Sequence, residues 1–167
     1  MLDALALIQR HRSSGVLVDT NLLVLYLVGT VNEHRIQDFK RTRAYTIEDF
    51  DLLHRLLAWF GRLVSTPHVL AQVSDLTDLR GKELPMVRAL FKQLVEVLEE
   101  RYEESCALVR DVCFERLGLT DAAIATLCRR DVLVLTDDLD LHATLILRGV
   151  DALNFNHVRV LGWRWGK

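Results

Sequence analysis

Three aspartates stand at points of the sequence where carboxylates can act together. Asp19 follows the apolar run "VLV", Asp138 ends the run "VLVLTDD", and Asp121 lies within "GLTDAAIA". An ionised carboxylate is costly to bury unless it is paired or bound to a metal. Carboxylate oxygens suit Mg²⁺ and Mn²⁺, and a metal held by them can polarise a phosphodiester and activate a water. The pattern therefore indicates a divalent-cation site.

Each of these aspartates also has a purely structural explanation. Asp is favoured at helix N-termini, so Asp19 and Asp121 could do no more than cap helices. Asp138 and Asp140 could simply form a turn. The metal site is favoured because all of these acids occur at strand or helix ends of one chain.

The elements that must position the acids follow from the apolar patterns. The runs "VLVD" at 16–19 and "VLVLTDD" at 132–138 are typical of strands, and "ALNFNHVRV" at 152–160 is expected to be a last strand. Helical segments between the strands favour an α/β fold, with a central parallel sheet covered by helices on both faces. Ligands of such sheets bind beyond the carboxyl ends of the strands, which is where Asp19 and Asp138 are expected.

Capping residues and breakers place the helices between the strands. Thr46 and Asp49 form a capping arrangement, and the helix after them is expected to carry one apolar face from Phe50 to Val64. Further helices are predicted to begin at Thr66 and Pro67 and at about Pro85. Another is predicted over "SCALVRDVCFERLG" up to Gly118, the next begins at a Thr120 cap, and a later one covers "LDLHATLILRG". Residues 30–44 are expected to be a long loop or a poorly formed helix.

The set of motifs "VLVDTN", "TPHVLAQVSDL", "LGLTDAAIA" and "VLVLTDDLDL" resembles the PIN domain, a family of metal-dependent nucleases that includes many bacterial toxin ribonucleases. The resemblance runs from about residue 15 to about residue 156, and residues 1–167 are interpreted as a single PIN-like domain. It implies a three-layer fold, an acidic pocket that binds Mg²⁺ or Mn²⁺, and hydrolysis of RNA phosphodiesters.

The resemblance also implies roles for individual residues. Asp19, Asp121 and Asp138 correspond to the catalytic and metal-binding acids, and Asp140 corresponds to a further metal ligand. Asn21 and Thr136 fall where small polar residues support the metal or its waters.

One position departs from the family pattern. The helix "TPHVLAQVSDL" has Gln72 where the family usually has a glutamate. An amide oxygen can still ligate a metal or accept a hydrogen bond from its water, but it contributes no charge. Asp75 lies on the same helix face as Gln72 and is a candidate to restore the charge, although a solvated surface position explains it equally simply. His68 is a weaker candidate for a phosphate or water contact.

Two stretches carry features typical of nucleic-acid binding. "FKRTRAY" at 39–45 places Lys40, Arg41 and Arg43 beside aromatics, which suits a phosphate backbone, although a solvated basic loop is an equal explanation. The "GWRWGK" end offers two tryptophans for stacking, of which at least one is expected to pack on the core.

Composition limits the protein class. A chain of 167 residues with formal net charge -2 suits one domain and does not suit bulk-charge binding to nucleic acid. Cys106, Cys113 and Cys128 fit neither a disulfide framework nor a zinc site and are expected to be mostly buried thiols. No run is a convincing signal peptide or membrane span, so a cytoplasmic protein without a membrane partner is expected.

The leading hypothesis is a metal-dependent endoribonuclease, an enzyme that acts on RNA and is a candidate toxin of a toxin–antitoxin pair. The alternative is a PIN-like binding or assembly module with weakened or lost catalysis, which Gln72 favours. An aspartyl phosphatase or a response-regulator receiver fits poorly, since position 21 is Asn and the first strand lacks paired acids. A homodimer through residues 86–98 is a further hypothesis, for which a core role is the simpler explanation.

Overall fold

A five-stranded, all-parallel sheet forms the centre of the molecule in a computed structural model that describes residues 2–128 and 131–162. The strands are β1 (Val16–Val18), β2 (Leu63–Ser65), β3 (Glu99–Glu100), β4 (Leu133–Thr136) and β5 (Ala152–Asn154). They lie in the order β3-β2-β1-β4-β5. Helices flank the sheet in a three-layer α/β/α arrangement, which confirms the predicted fold class.

The helices within the described ranges are α1 (Leu2–His11), α2 (Thr20–Val31), α3 (Ile47–Leu57), α4 (Pro67–Leu76), α5 (Glu83–Val97), α6 (Ser105–Leu108), α7 (Phe114–Leu117), α8 (Leu119–Leu127), α9 (Leu139–Leu147) and α10 (Phe155–Gly162), with a 3₁₀ turn at Glu33–Arg35. None of them combines the length and the apolar composition that a membrane crossing requires.

The central strand β1 is buried on both faces because helices cover both sides of the sheet. Val16, Leu17 and Val18 are all almost fully buried, which explains why β1 is apolar throughout instead of alternating. In the register of β1 with β4, Val18 lies opposite Leu135. The next residues along each strand, Asp19 and Thr136, therefore lie side by side at the carboxyl edge.

Helix α2 continues directly from β1 and is apolar nearly all round because α3, α4 and α5 pack against it. Its approach to α3 depends on Gly29, since a Cβ there would lie 2.4 Å from the ring of Phe50. This packing fixes α2, and thereby the turn that carries Asp19, against the rest of the core.

Two strands were not predicted from the sequence. The helix expected to run as far as Val64 ends at Leu57, and residues 63–65 form β2 instead. The apolar spacing through Phe60 and Val64 suits either a helix or a strand, so periodicity alone misassigned it. Strand β3 was missed because its two residues, Glu99 and Glu100, carry no apolar signal.

Three further expectations are corrected. Residues 105–117 form two short helices, so Cys106 is exposed and Cys113 alone of that pair is buried. Helix α8 begins at Leu119, so Thr120 lies inside it and is not its cap. The last strand ends at Asn154, whose side-chain oxygen accepts from the backbone N–H of Asn156 at 2.9 Å and so favours the start of a helix. The tryptophans at 163 and 165 lie outside the described residues.

Candidate active site

Asp19 lies at the junction between β1 and α2, buried and with both carboxylate oxygens in use. Oδ1 accepts from the Thr20 backbone N–H at 2.6 Å, and Oδ2 accepts from the Thr136 hydroxyl at 2.6 Å. Burial raises the pKa of Asp19 to about 6 although both hydrogen bonds lower it, and the charges of Asp137 and Asp138 raise it further. Asp19 does cap α2, yet capping leaves its charge uncompensated.

Asp138 caps α9 and is joined to Asp19 through Thr136. Its Oδ1 accepts from the Leu141 backbone N–H at 2.8 Å, and its own N–H donates to the Thr136 hydroxyl at 3.0 Å. The buried Thr136 hydroxyl therefore donates to one acid and accepts from the backbone of the other. This arrangement fixes the positions of both acids relative to each other.

Asp121 completes the cluster from the first turn of α8. Its carboxyl is half-buried and has no hydrogen-bond or ion-pair partner in the described part of the chain. Burial raises its pKa to about 7, and the nearby charges of Asp19 and Asp138 raise it further in the same direction. The three acids named as catalytic from the sequence thus lie close enough to influence one another's ionisation. We call Asp19, Asp121 and Asp138 the acid cluster.

The acid cluster fits Mg²⁺ or Mn²⁺ in the chemistry of its donors. Three oxygen-donor side chains share one edge, and no Lys or Arg of residues 2–128 and 131–162 forms an ion pair with any of them. A divalent cation would relieve their mutual repulsion. Within the same residues, however, no three His, Cys, Asp or Glu side chains already stand as a group able to hold a metal. The fit is one of donor type and charge.

Asn21 does not contact the acid cluster directly. Its amide donates to Asp137 Oδ1 at 3.2 Å, and the Tyr45 hydroxyl donates to Asp137 Oδ2. The Asn156 amide donates to the Asp137 carbonyl at 2.8 Å. Sequence reasoning placed Asp137 at the end of its strand without a site role, considered the tyrosine of "FKRTRAY" only for stacking on bases, and assigned nothing to Asn156. The only signal was the doublet at 137–138, which does not show which acid binds α2 and Tyr45 and which joins the acid cluster.

Gln72 reaches the edge of the cluster through Thr20. Its Oε1 accepts from the Thr20 hydroxyl at 2.9 Å, and the backbone N–H of Thr20 donates to Asp19. The amide oxygen is thus already engaged within the protein. The neutral side chain at this position holds Thr20, the first residue of α2, and adds no charge to the acids.

The other two candidates on α4 contact different parts of the protein. Asp75 is exposed and lines a cavity between α4 and α5 together with Asp78 and Arg88. His68 Nε2 lies 3.4 Å from the Ser105 hydroxyl, and its buried Nδ1 has no partner in the described residues. In the described part of the chain, the Asp75 side chain forms no hydrogen bond with Gln72 or the acid cluster.

Within the described residues, the remaining predicted site residues form no side-chain hydrogen bond or ion pair with the acids. Asp140 has a side chain that is 76% exposed, 3.8 Å from Arg116. Lys40 pairs with Asp78 at 3.1 Å, just past the carboxyl end of α4. Arg41 and Arg43 are exposed.

The fold and the acid cluster together define an α/β protein with carboxylates at the carboxyl edge of a parallel sheet that no cation of the described residues pairs with. No protein-family model and no curated protein matches the sequence. Membership of the PIN family therefore stays a prediction that rests on the quoted motifs.

Proposed function

We propose that this protein is a metal-dependent endoribonuclease of the PIN type that hydrolyses RNA phosphodiesters at the acid cluster. The observation that carries the proposal is that Asp121 is half-buried and does not cap its helix. Helix α8 begins after Gly118, and no side chain caps it, so Asp121 does not act as a cap. Capping accounts for the positions of Asp19 and Asp138, and this explanation does not extend to Asp121.

Magnitudes also favour a functional role for Asp121. An acid in the first turn of a helix gains about 0.3–1 kcal/mol from the helix dipole. A carboxyl pKa raised from 3.8 to about 7 corresponds to a cost of about 4 kcal/mol when the group is ionised, and solvent screening at this half-buried carboxyl reduces the cost to about 3 kcal/mol. The cost exceeds the gain, which is the pattern typical of groups retained for function.

The chain's own residues would perform distinct tasks in the reaction. The Thr136 hydroxyl and the Thr20 backbone N–H donate to Asp19 and hold it in place, and the Leu141 backbone N–H does the same for Asp138. Asp121, whose carboxyl has no hydrogen-bond or ion-pair partner among the described residues, would bind the metal or accept a hydrogen bond from its water. A bound Mg²⁺ or Mn²⁺ would supply polarisation of the phosphodiester and a water of lowered pKa.

The proposal includes single-stranded RNA as the substrate, with the exposed Arg41 and Arg43 as candidate backbone contacts. A protein antitoxin, a homodimer and a cytoplasmic location follow from the resemblance and the sequence, and they belong to the proposal on that basis alone.

A binding or assembly module is the second candidate, and Gln72 favours it. Its oxygen already accepts from Thr20 and adds no charge, so the cluster has three carboxylates in place of the usual four. A site with weaker metal affinity would still bind RNA without cleaving it.

The deciding experiment compares cleavage of a labelled single-stranded RNA by wild type and Asp121→Asn in Mg²⁺, in Mn²⁺ and in EDTA. Asp51→Asn, which alters an exposed acid on α3, is the matched control. We expect metal-dependent cleavage by wild type and the control, and a loss of at least about 100-fold in Asp121→Asn. RNA binding by a wild type that leaves the RNA intact in both metals would establish the second candidate instead.

A further inference from the structure

Residues 36–45 include the stretch "FKRTRAY", for which a solvated loop was an equal explanation, and they are packed along one side. Ile36, Phe39, Thr42 and Tyr45 follow one another at intervals of three, and all are buried. The Thr42 hydroxyl donates to the Ile36 carbonyl at 2.8 Å, which closes the segment on itself. We call residues 36–45 the basic segment, because the exposed side carries the cations of "KRTR".

The basic segment ends on Asp137 through the Tyr45 hydroxyl. Asp137 receives two further donors from other elements, Asn21 from α2 and Asn156 from α10. Its two carboxylate oxygens and its carbonyl are therefore all engaged. Asp137 joins three parts of the chain and keeps no carboxylate oxygen without a protein donor.

The position of Asp137 gives these bonds a consequence for the acid cluster. Asp137 lies between Thr136, which donates to Asp19, and Asp138, a member of the cluster. A residue held at three points cannot rotate without moving its neighbours in the chain. The bonds to Asp137 therefore bear on the direction in which Asp138 leaves β4.

We propose that Tyr45 and Asp137 form a positioning pair for the acid cluster. The Tyr45 hydroxyl holds Asp137, Asp137 holds the turn between β4 and α9, and this turn keeps Thr136 and Asp138 in place. The same bond anchors the basic segment, so the surface that carries Arg41 and Arg43 keeps a fixed place relative to the acids. This inference rests on the proposed function, and it assigns Tyr45 a positioning role and no contact with substrate.

The test uses Tyr45→Phe, which keeps the buried ring and removes only the hydroxyl. Tyr102→Phe is the matched control, since the Tyr102 side chain is largely exposed. Hydrogen exchange of the metal-free proteins reports on the backbone N–H groups of Asp138 and Leu141, which donate to Thr136 and Asp138. Mn²⁺ titration of the same three proteins reports on the cluster.

We expect Tyr45→Phe to speed exchange at these two N–H groups about tenfold while the N–H groups of β1 stay protected. We expect its Mn²⁺ affinity to fall by 10- to 100-fold, about the size found when a residue that orients metal ligands is removed. Tyr102→Phe should match wild type in both measurements.

The inference is overturned if Tyr45→Phe binds Mn²⁺ as wild type does, or if its exchange rises evenly through β1 and β4, which would show a loss of general stability. A wild type that neither binds Mn²⁺ nor cleaves RNA overturns the proposed function, and with it this inference. The two failures are distinguishable because the first shows Mn²⁺ binding in wild type and the second does not.

Discussion

Asp111 and Asp121 are close in the sequence, but their surroundings shift their carboxyl pKa values in opposite directions. The Arg148 guanidinium holds the pKa of Asp111 well below its usual range, with further support from the Cys113 backbone N–H. Burial and two neighbouring acids raise the pKa of Asp121 to about 7.

The same contrast extends to other acids of the molecule. The pKa values of Asp131 and Asp151 are lowered, mainly by hydrogen bonds from Arg101 and His11. Where an acid supports the fold, the chain supplies a donor or a cation beside it. The acid cluster lacks such a cation among the described residues, which is the physical reason to assign it a function that needs negative charge.

The largest expected effect on stability comes from Asp121→Asn. The ordinary carboxyl pKa is 3.8 and the folded value is about 7, so between these values the native state holds a proton that the unfolded chain has lost. Stability is therefore present below about pH 4 and is lost as the pH rises towards 7. Removing the charge should make Asp121→Asn more stable than wild type by about 3 kcal/mol at pH 8, after solvent screening of the half-buried carboxyl is allowed for, and by nearly nothing at pH 4.

Urea unfolding in EDTA at the two pH values measures this difference. Asp51→Asn changes an acid that is exposed on α3 and should show no such dependence. If Asp121→Asn were less stable than wild type at pH 8, the acid cluster would be a stabilising feature and the contrast with Asp111 would be lost.

The opposite result is expected for Asp111→Asn. Arg148 donates to both carboxylate oxygens of Asp111, and the neutral amide would weaken both bonds. The loss should be about 1 kcal/mol, because these side chains are partly exposed. A lowered pKa contributes stability above the unfolded value that disappears only as the pH falls through the folded value. The difference in stability between Asp111→Asn and wild type should therefore stay constant from pH 8 to pH 5. Over the same range, the corresponding difference for Asp121→Asn changes.

The sequence was sufficient to predict much of the fold. It gave the central strands β1 and β4, the capping box at Thr46 and the start of α4, because each depends on neighbouring residues. Strand β3 and helix α10 were not predictable in this way. Strand β3 depends on pairing with β2, which is distant in the sequence. Helix α10 depends on the Asn154 side chain, which accepts from the Asn156 backbone N–H and so favours a turn over an extended backbone.

In the candidate site too, some positions follow from neighbouring residues in the sequence and others only from tertiary packing. Asp19 and Asp138 were placed correctly at the carboxyl edge, because each follows an apolar strand. The position of Asp121 beside them depends on how α8 packs across the sheet, which no local pattern contains. The bond from Tyr45 to Asp137 spans most of the chain and could not be derived from either segment alone.

The sharpest question about the cluster concerns Gln72→Glu. A glutamate would bring a fourth negative charge beside Thr20 and Asp19, so the charge of the cluster would increase while its geometry stayed nearly the same. We expect Mn²⁺ affinity to rise about tenfold, equivalent to about 1.4 kcal/mol, and the thermal midpoint of the metal-free protein at pH 8 to fall. Isothermal titration with Mn²⁺ and a thermal melt in EDTA measure the two quantities. Gln93→Glu, on the exposed side of α5, adds the same charge elsewhere and should change neither. Unchanged affinity in Gln72→Glu would mean that three carboxylates already suffice and that Gln72 serves only to hold Thr20.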